Sequence, residues 1–471
     1  MKILKNYAYN LSYQLLVILL PIITTPYVTR IFSSSQLGTY GYYNSIVTYF
    51  VLLATLGVGN YGTKQISSHR KRIRETFWGI YSLQIIAGLC SILLYSIVCL
   101  LVPSMQHPVA YILLISLFSK TMDISWLFQG VEDFRRITAR NITVKLLGVV
   151  SIFLFVKTPN DLLLYIICLV GFEMLGQLSM WWPAREYIGK PTIDWQETKR
   201  NFAPIIMLFL PQIAISLYVT LDRTMLGALA STDDVGIFDQ AQKLIAMLLT
   251  IVTSLGSVML PRISSLLSSG DHKAANRMHE LSFLIYNLVI FPIIGGMIVV
   301  NRDFVAFFLG KDFQAAQIAI YIMVFKMFFI GWTNIMGIQI LIPHDKHKEF
   351  MLSTTLPAIF SVGLNLLFIP SLGFVGASIT SLLTEAIVWG MQLYFARSYI
   401  KGLQILPSML KIIVSTLVMV AILFAIGPFL QFSPALNVVV YAVLGIAIYA
   451  SLVLGWKIVD IGEIREKILK K

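Results

Sequence analysis

The chain has 471 residues, of which 57% are hydrophobic and only 13% charged, with a mean hydropathy of +0.79. Those values exclude one large soluble domain and leave a polytopic membrane protein. The net charge of +13 suits a chain held among anionic headgroups, and no stretch reads as a soluble nucleic-acid-binding domain.

A membrane helix needs about 20 mostly apolar residues. The sequence predicts about fourteen, at 10–29, 39–62, 77–101, 108–130, 137–156, 162–183, 202–226, 235–261, 280–300, 314–342, 350–369, 373–396, 405–427 and 435–456. Barrel strands would alternate over about ten residues, and these runs are too long and too uniformly apolar for that. The basic start resembles a signal peptide, but the apolar run is long and has no convincing cleavage site, so it is expected to be the first retained span.

Basic residues set the orientation. With the N-terminus inside, Lys2 and Lys5, the cations of 64–76, 131–145, 185–200, 262–277, 343–349 and 397–404, and the basic tail all face the cytoplasm. Outside there remain Arg30, Lys157, Arg302 and Lys311. Both termini are therefore expected to be cytoplasmic.

Two features repeat along the chain. Lys120 and Lys326 each lie near the middle of an apolar span, and each has a tryptophan six positions later, Trp126 and Trp332. Segment 35–46, SQLGTYGYYNSI, aligns with 233–244, DDVGIFDQAQKL, through Gly38/Gly236 and Tyr40/Phe238. Both features give an offset of about 200 residues, the signature of an internally repeated transporter. Each half holds an even number of spans, so the copies share one orientation. The expected division is a six-helix lobe over 1–190, a second over 191–400, and two additional helices with a basic tail over 401–471.

Charges inside spans are functional candidates, because each costs about 2.5–3.5 kcal/mol at mid-depth on insertion scales. The candidate cavity cations are Lys120, Arg223, Lys243 and Lys326 within spans and Arg30 at the outer end of the first span. Lys120 with Asp123 (i,i+3) and Lys243 with Asp239 (i,i+4) can instead meet on one helical face as internal ion pairs. Lys411 lies close enough to a helix end to snorkel. Glu173 and Glu385 occupy corresponding places in the two lobes and are candidates for ion coupling, as are Asp123 and Asp222; hydrogen bonding to a neighbouring helix is the other reading. Tyr40, Tyr43, Trp126, Gln129 and Trp332 are candidates for sugar contact, or for packing.

Enzyme signatures are missing. All loops are short, and the sequence holds no Walker A glycine loop, HExxH pair or nucleophile elbow. Cys90 and Cys99 share one helix about 13 Å apart along its axis, too far for a disulfide, and no metal site or cofactor is expected.

Five stretches carry a resemblance: YVTRIFSSSQLGTYGYYNSI (27–46), ISWLFQGVEDFRRITARNITVK (124–145), LDRTMLG (221–227), GWTNIMGIQILIP (331–343) and LNLLFIPSLGFVGASITSLLTEA (364–386). In their order and spacing the chain resembles the Wzx-type oligosaccharide flippases of the multidrug/oligosaccharidyl-lipid/polysaccharide exporter superfamily. The resemblance implies a multi-pass protein of the bacterial cytoplasmic membrane with two six-helix lobes around a cavity. Its implied task is moving undecaprenyl-pyrophosphate-linked oligosaccharide to the outer leaflet for capsule, O-antigen or exopolysaccharide. Membrane lipids, a polysaccharide polymerase and a chain-length regulator would be its partners, with a proton or sodium gradient as energy source. A drug/cation antiporter, a lipid II flippase and a membrane-embedded polymerase or ligase are the alternatives.

Overall fold

The computed structural model describes residues 16, 19–192, 194–430 and 432–458. Lys2, Lys5 and most of the basic tail lie outside them. Among the described residues there are helices and no strands. Ten helices among the described residues are long and apolar enough to cross a membrane, or eleven if a bent pair is one span, so the protein is an all-helical, multi-pass membrane protein. Leu93, Leu100, Leu101, Trp182, Phe429 and Ile446 are among many large apolar side chains left exposed. A soluble surface would not carry so many, whereas hydrocarbon accepts them.

Contacts divide the chain into two compact units, Met1–Gly236 and Ile237–Lys471. Unit 1 begins with α1 (19–31), followed by α2 (Ser34–Thr55), α3 (Val58–Ser68) and α4 (Ile73–Leu101). Next come α5 (Pro108–Ile112), α6 (Leu114–Thr121), α7 (Ser125–Gly130), α8 (Phe134–Phe155), α9 (Leu162–Ile188) and α10 (Trp195–Leu229). Helix α10 packs on α2, α3 and α4, so contacts group 195–236 with the residues before it.

Unit 2 takes up most of α11 (Thr232–Ser268), then α12 (His272–Phe308), α13 (Ala316–Met323), α14 (Lys326–Thr333), a π-helical turn Asn334–Leu341, α15 (His347–Leu372), α16 (Phe374–Ile400), α17 (Leu406–Ile426) and α18 (Pro434–Gly455). Helices α17 and α18 pack on α12.

Three expected spans are broken, two in unit 1 and, in unit 2, the 314–342 span between α13 and α14. The 39–62 span is interrupted at Leu56 and Gly57, both at positive φ (46° and 72°). The 108–130 span breaks between α6 and α7 at Met122–Ile124. Interrupted backbone inside a membrane is tolerated where its polar groups find partners in the protein. Here the Gln84 amide of α4 supplies them: Nε2 donates to the carbonyls of Lys120, Thr121 and Asp123 at 3.2, 3.2 and 2.9 Å. Gly88, one turn along, lets α4 approach Thr121, since a Cβ there would lie 2.4 Å from its side chain.

Gln84 also accepts from Trp126 Nε1 at 3.1 Å. In unit 2, Asn287 of α12 accepts from Trp332 Nε1 at 3.0 Å, and the chain bends by 40° between α13 and Lys326 at the head of α14. The lysine-tryptophan repeat is therefore a structural repeat: each tryptophan follows a broken helix and is tied to a buried amide on a neighbouring one. Trp126 is 3% exposed and stacked on Phe77, while Trp332 is 8% exposed against Phe283. Both are packed among aromatic neighbours in this conformation.

Candidate substrate cavity

Unit 1 encloses a cavity of about 650 Å³. Six helices contribute polar side chains to it, and the α6–α7 break brings Lys120, Asp123 and Ser125 to the side facing α8 and α9. Lys120 Nζ lies 2.6 Å from Glu173 Oε1 of α9. Asp123 is not its partner: Oδ1 accepts from Ser125 N at 2.8 Å and Ser125 Oγ at 2.5 Å, closing the turn that starts α7. The sequence pairing at i,i+3 fails because the helix ends between the two residues.

A second polar chain crosses the cavity wall. Arg140 of α8 donates through Nη1 to Gln177 Oε1 at 2.6 Å and through Nη2 to Ser125 Oγ at 2.9 Å, which in turn donates to Asp123. Arg140 is thus linked to the Asp123 carboxylate through one hydroxyl. Tyr40 and Gln129 also line the cavity. Tyr40 meets Tyr165 edge-on at 6.1 Å, and Gln129 accepts from Thr63 Oγ1 at 3.2 Å.

The remaining sequence candidates lie elsewhere. Tyr43 is buried, donating to Ser104 O at 2.8 Å and stacked on His107 at 5.0 Å. Outside the spans, burial pushes the His107 imidazole below its ordinary pKa. Arg30 is exposed near the end of α1, its guanidinium donating to Pro26 O. Asp222 is buried on α10, and Arg223 is half-buried beside it. In unit 2, Lys243 pairs with Asp239 at 2.7 Å, as i,i+4 spacing predicts. Lys326 is 6% exposed and donates to Ser381 Oγ at 3.0 Å. Glu385 lies one turn beyond Ser381 on the same face of α16.

Asn141, Lys145 and Gln177 line the cavity although the sequence reading gives them no binding role, and with them lies Arg140, at the end of the basic stretch 131–140 that reads either as a receiver of the lipid diphosphate or as purely topogenic. The positive-inside pattern had placed the two cations in a cytoplasmic loop. The overlooked signal was Asp133, whose side chain accepts from Arg136 N and caps α8. With the helix beginning at Phe134, Arg140 and Lys145 lie three residues deeper in it than the expected limit of 137 implies.

The chain matches the family described as "Polysaccharide biosynthesis protein" over residues 3–267, more than half its length. It belongs to that family. A candidate O-antigen transporter of Escherichia coli (strain K12) is 27% identical over 399 residues, covering 81% of this chain and 93% of the relative. One of Shigella dysenteriae is 23% identical, covering 70% and 84%. Among solved structures, the lipid II flippase MurJ in an inward closed conformation aligns with 99% of this chain and 100% of its own at a TM-score of 0.77 and 13% identity. An inward-facing multidrug MATE transporter covers 79% and 92% at 0.62, also at 13% identity. Both share its fold.

Proposed function

We propose that this protein is a flippase of the bacterial cytoplasmic membrane, carrying undecaprenyl-pyrophosphate-linked oligosaccharide from the inner to the outer leaflet by alternating access. The observation that carries this reading is a polar cavity with three cations built into an otherwise apolar, lipid-facing body. A diphosphate with a sugar chain cannot shed its water into about 30 Å of hydrocarbon, and such a cavity replaces the lost hydration. The O-antigen transporter relatives support the choice of a lipid-linked glycan, handed on to a polymerase and its chain-length regulator.

Lys120 and Glu173 form the ion-coupling pair in this account. Protonation of Glu173 frees Lys120 and changes the charge of the cavity, so a proton gradient biases one conformation over another. Lys326 and Glu385 are assigned the equivalent function in unit 2. Tyr40 and Gln129 contact the glycan.

Deleting the gene in a glycan-producing host should accumulate lipid-linked repeat units on the inner leaflet. Units accumulating on the outer leaflet would point to a polymerase or ligase. An unchanged glycan with altered drug tolerance would point to an antiporter.

A further inference from the structure

Lys145 is the twelfth residue of the 22-residue helix α8 (Phe134–Phe155), which places it about 16 Å from either helix end at 1.5 Å per residue. A lysine stem reaches only about 6 Å, so snorkelling cannot bring its ammonium to either interface. Such a charge is expensive unless it meets a counter-charge.

The cavity's own carboxylates are committed. Glu173 is held by Lys120 at 2.6 Å, and Asp123 is bound by Ser125 and through it to Arg140. Among the described residues Lys145 has no hydrogen-bond or ion-pair partner. Residues 1–18, which precede the part of α1 that lines the cavity, contain no Asp or Glu. Three cations against two carboxylates therefore leave one positive charge, and Lys145 is the cation without a carboxylate.

Asn141 lies one turn before Lys145 on the same helical face and also lines the cavity, as does Arg140. The face thus offers an ammonium and an amide, beside a guanidinium whose donors are partly engaged. We infer that Lys145 and Asn141, backed by Arg140, form an oxyanion subsite in the unit 1 cavity that takes the diphosphate of a polyprenyl-linked glycan. This rests on the flippase reading and assigns its headgroup contact to α8, a helix the sequence pattern treated as anchored by those same charges. A lysine suits the task because it meets a diphosphate as a point charge and releases it readily, which a transporter requires on both sides.

The full-length protein in nanodiscs should be titrated with undecaprenyl diphosphate and with the uncharged undecaprenol, using wild type, Lys145→Met and Lys145→Arg. Lys145→Met removes the charge while suiting a membrane helix, so it should insert and fold. The expected result is tenfold or greater weakening of diphosphate binding in Lys145→Met, unchanged undecaprenol binding, and near wild-type affinity in Lys145→Arg. Inorganic pyrophosphate should displace the lipid from wild type; failure to displace it puts recognition on the isoprenoid chain and overturns the subsite. Diphosphate binding by Lys145→Met within twofold of wild type, or equal losses for both lipids, also overturns it while leaving the flippase reading intact. Wild-type protein that binds no undecaprenyl diphosphate contradicts both.

Discussion

Gly38 of α2 and Gly236 of α11 cross so closely that neither position has room for a side chain. A Cβ on Gly38 would lie 1.6 Å from Thr232 O, and one on Gly236 would lie 1.9 Å from Ser34 O. The contact is reciprocal, because Ser34 and Thr232, like Gly38 and Gly236, are equivalent positions of the repeat. The helices also start alike: Ser33 Oγ accepts from Gln36 N, and Ser231 Oγ from Asp234 N. Ser34 Oγ donates to Asp233 Oδ1, and Ser35 and Thr232 hydroxyls meet at 3.0 Å.

Both obstructing atoms belong to backbone, which yields less easily than a flexible side chain. Gly38→Val or Gly236→Val should therefore destabilise this arrangement by about 1–3 kcal/mol, the usual cost of overpacking. Thermal unfolding of the purified variants checks it, and Gly296→Val, where nothing lies within 4 Å of the added Cβ, is the control.

Gln84→Leu should be among the more damaging single changes in unit 1. It strips a shared donor from three carbonyls at the α6–α7 break and an acceptor from Trp126, and each buried polar group left unpaired costs about 1–3 kcal/mol. Trp126→Phe, which removes only the indole N–H, should cost less. Chemical denaturation in detergent gives the order.

Lys120 and Glu173 should couple in a double-mutant cycle. Lys120→Ala leaves a carboxylate without its cation, and adding Glu173→Gln should recover part of the loss in folded protein, with a coupling energy of about 0.5–3 kcal/mol. The pair Lys120→Ala with Asp123→Ala should show no such recovery, because Asp123 serves Ser125. Recovery through Asp123 would reinstate the i,i+3 pairing.

Reporter fusions at 102–107 and 157–161 should read outside, and fusions at 66–69 and 189–192 inside. These connections bracket α4, α8 and α9, so inverted signals would reverse the direction in which the cavity opens.

Much of this fold was legible because membrane spans are set by length and apolarity. The limits expected for α8, α9 and α15 to α18 fall within about five residues of the helices, whereas α12 runs eight residues past its expected limits of 280 and 300 at each end. The breaks were not legible, since nothing in the 108–130 run announces that its helix stops at Met122. Gln84, some forty residues away, supplies the bonds that make stopping tolerable. The site was half legible for the same reason. Lys120, Asp123 and Glu173 stood out as charges in apolar runs, but their pairing depends on the break. Arg140 and Lys145 were hidden in a basic stretch that orientation rules already explained. Trp126 and Trp332 did repeat as the sequence indicated, and their shared partner type, a buried amide, shows the repetition to be one of scaffolding.

The most direct test of the central claim is transbilayer movement in proteoliposomes containing this protein alone. Undecaprenyl-diphosphate oligosaccharide is placed in one leaflet, and its arrival in the other is read by an impermeant glycan-cleaving enzyme. The account predicts protein-dependent movement that an imposed pH gradient accelerates and that Glu173→Gln uncouples from the gradient. Movement no faster than in protein-free vesicles, with the gradient present and the protein shown to be folded, would contradict it.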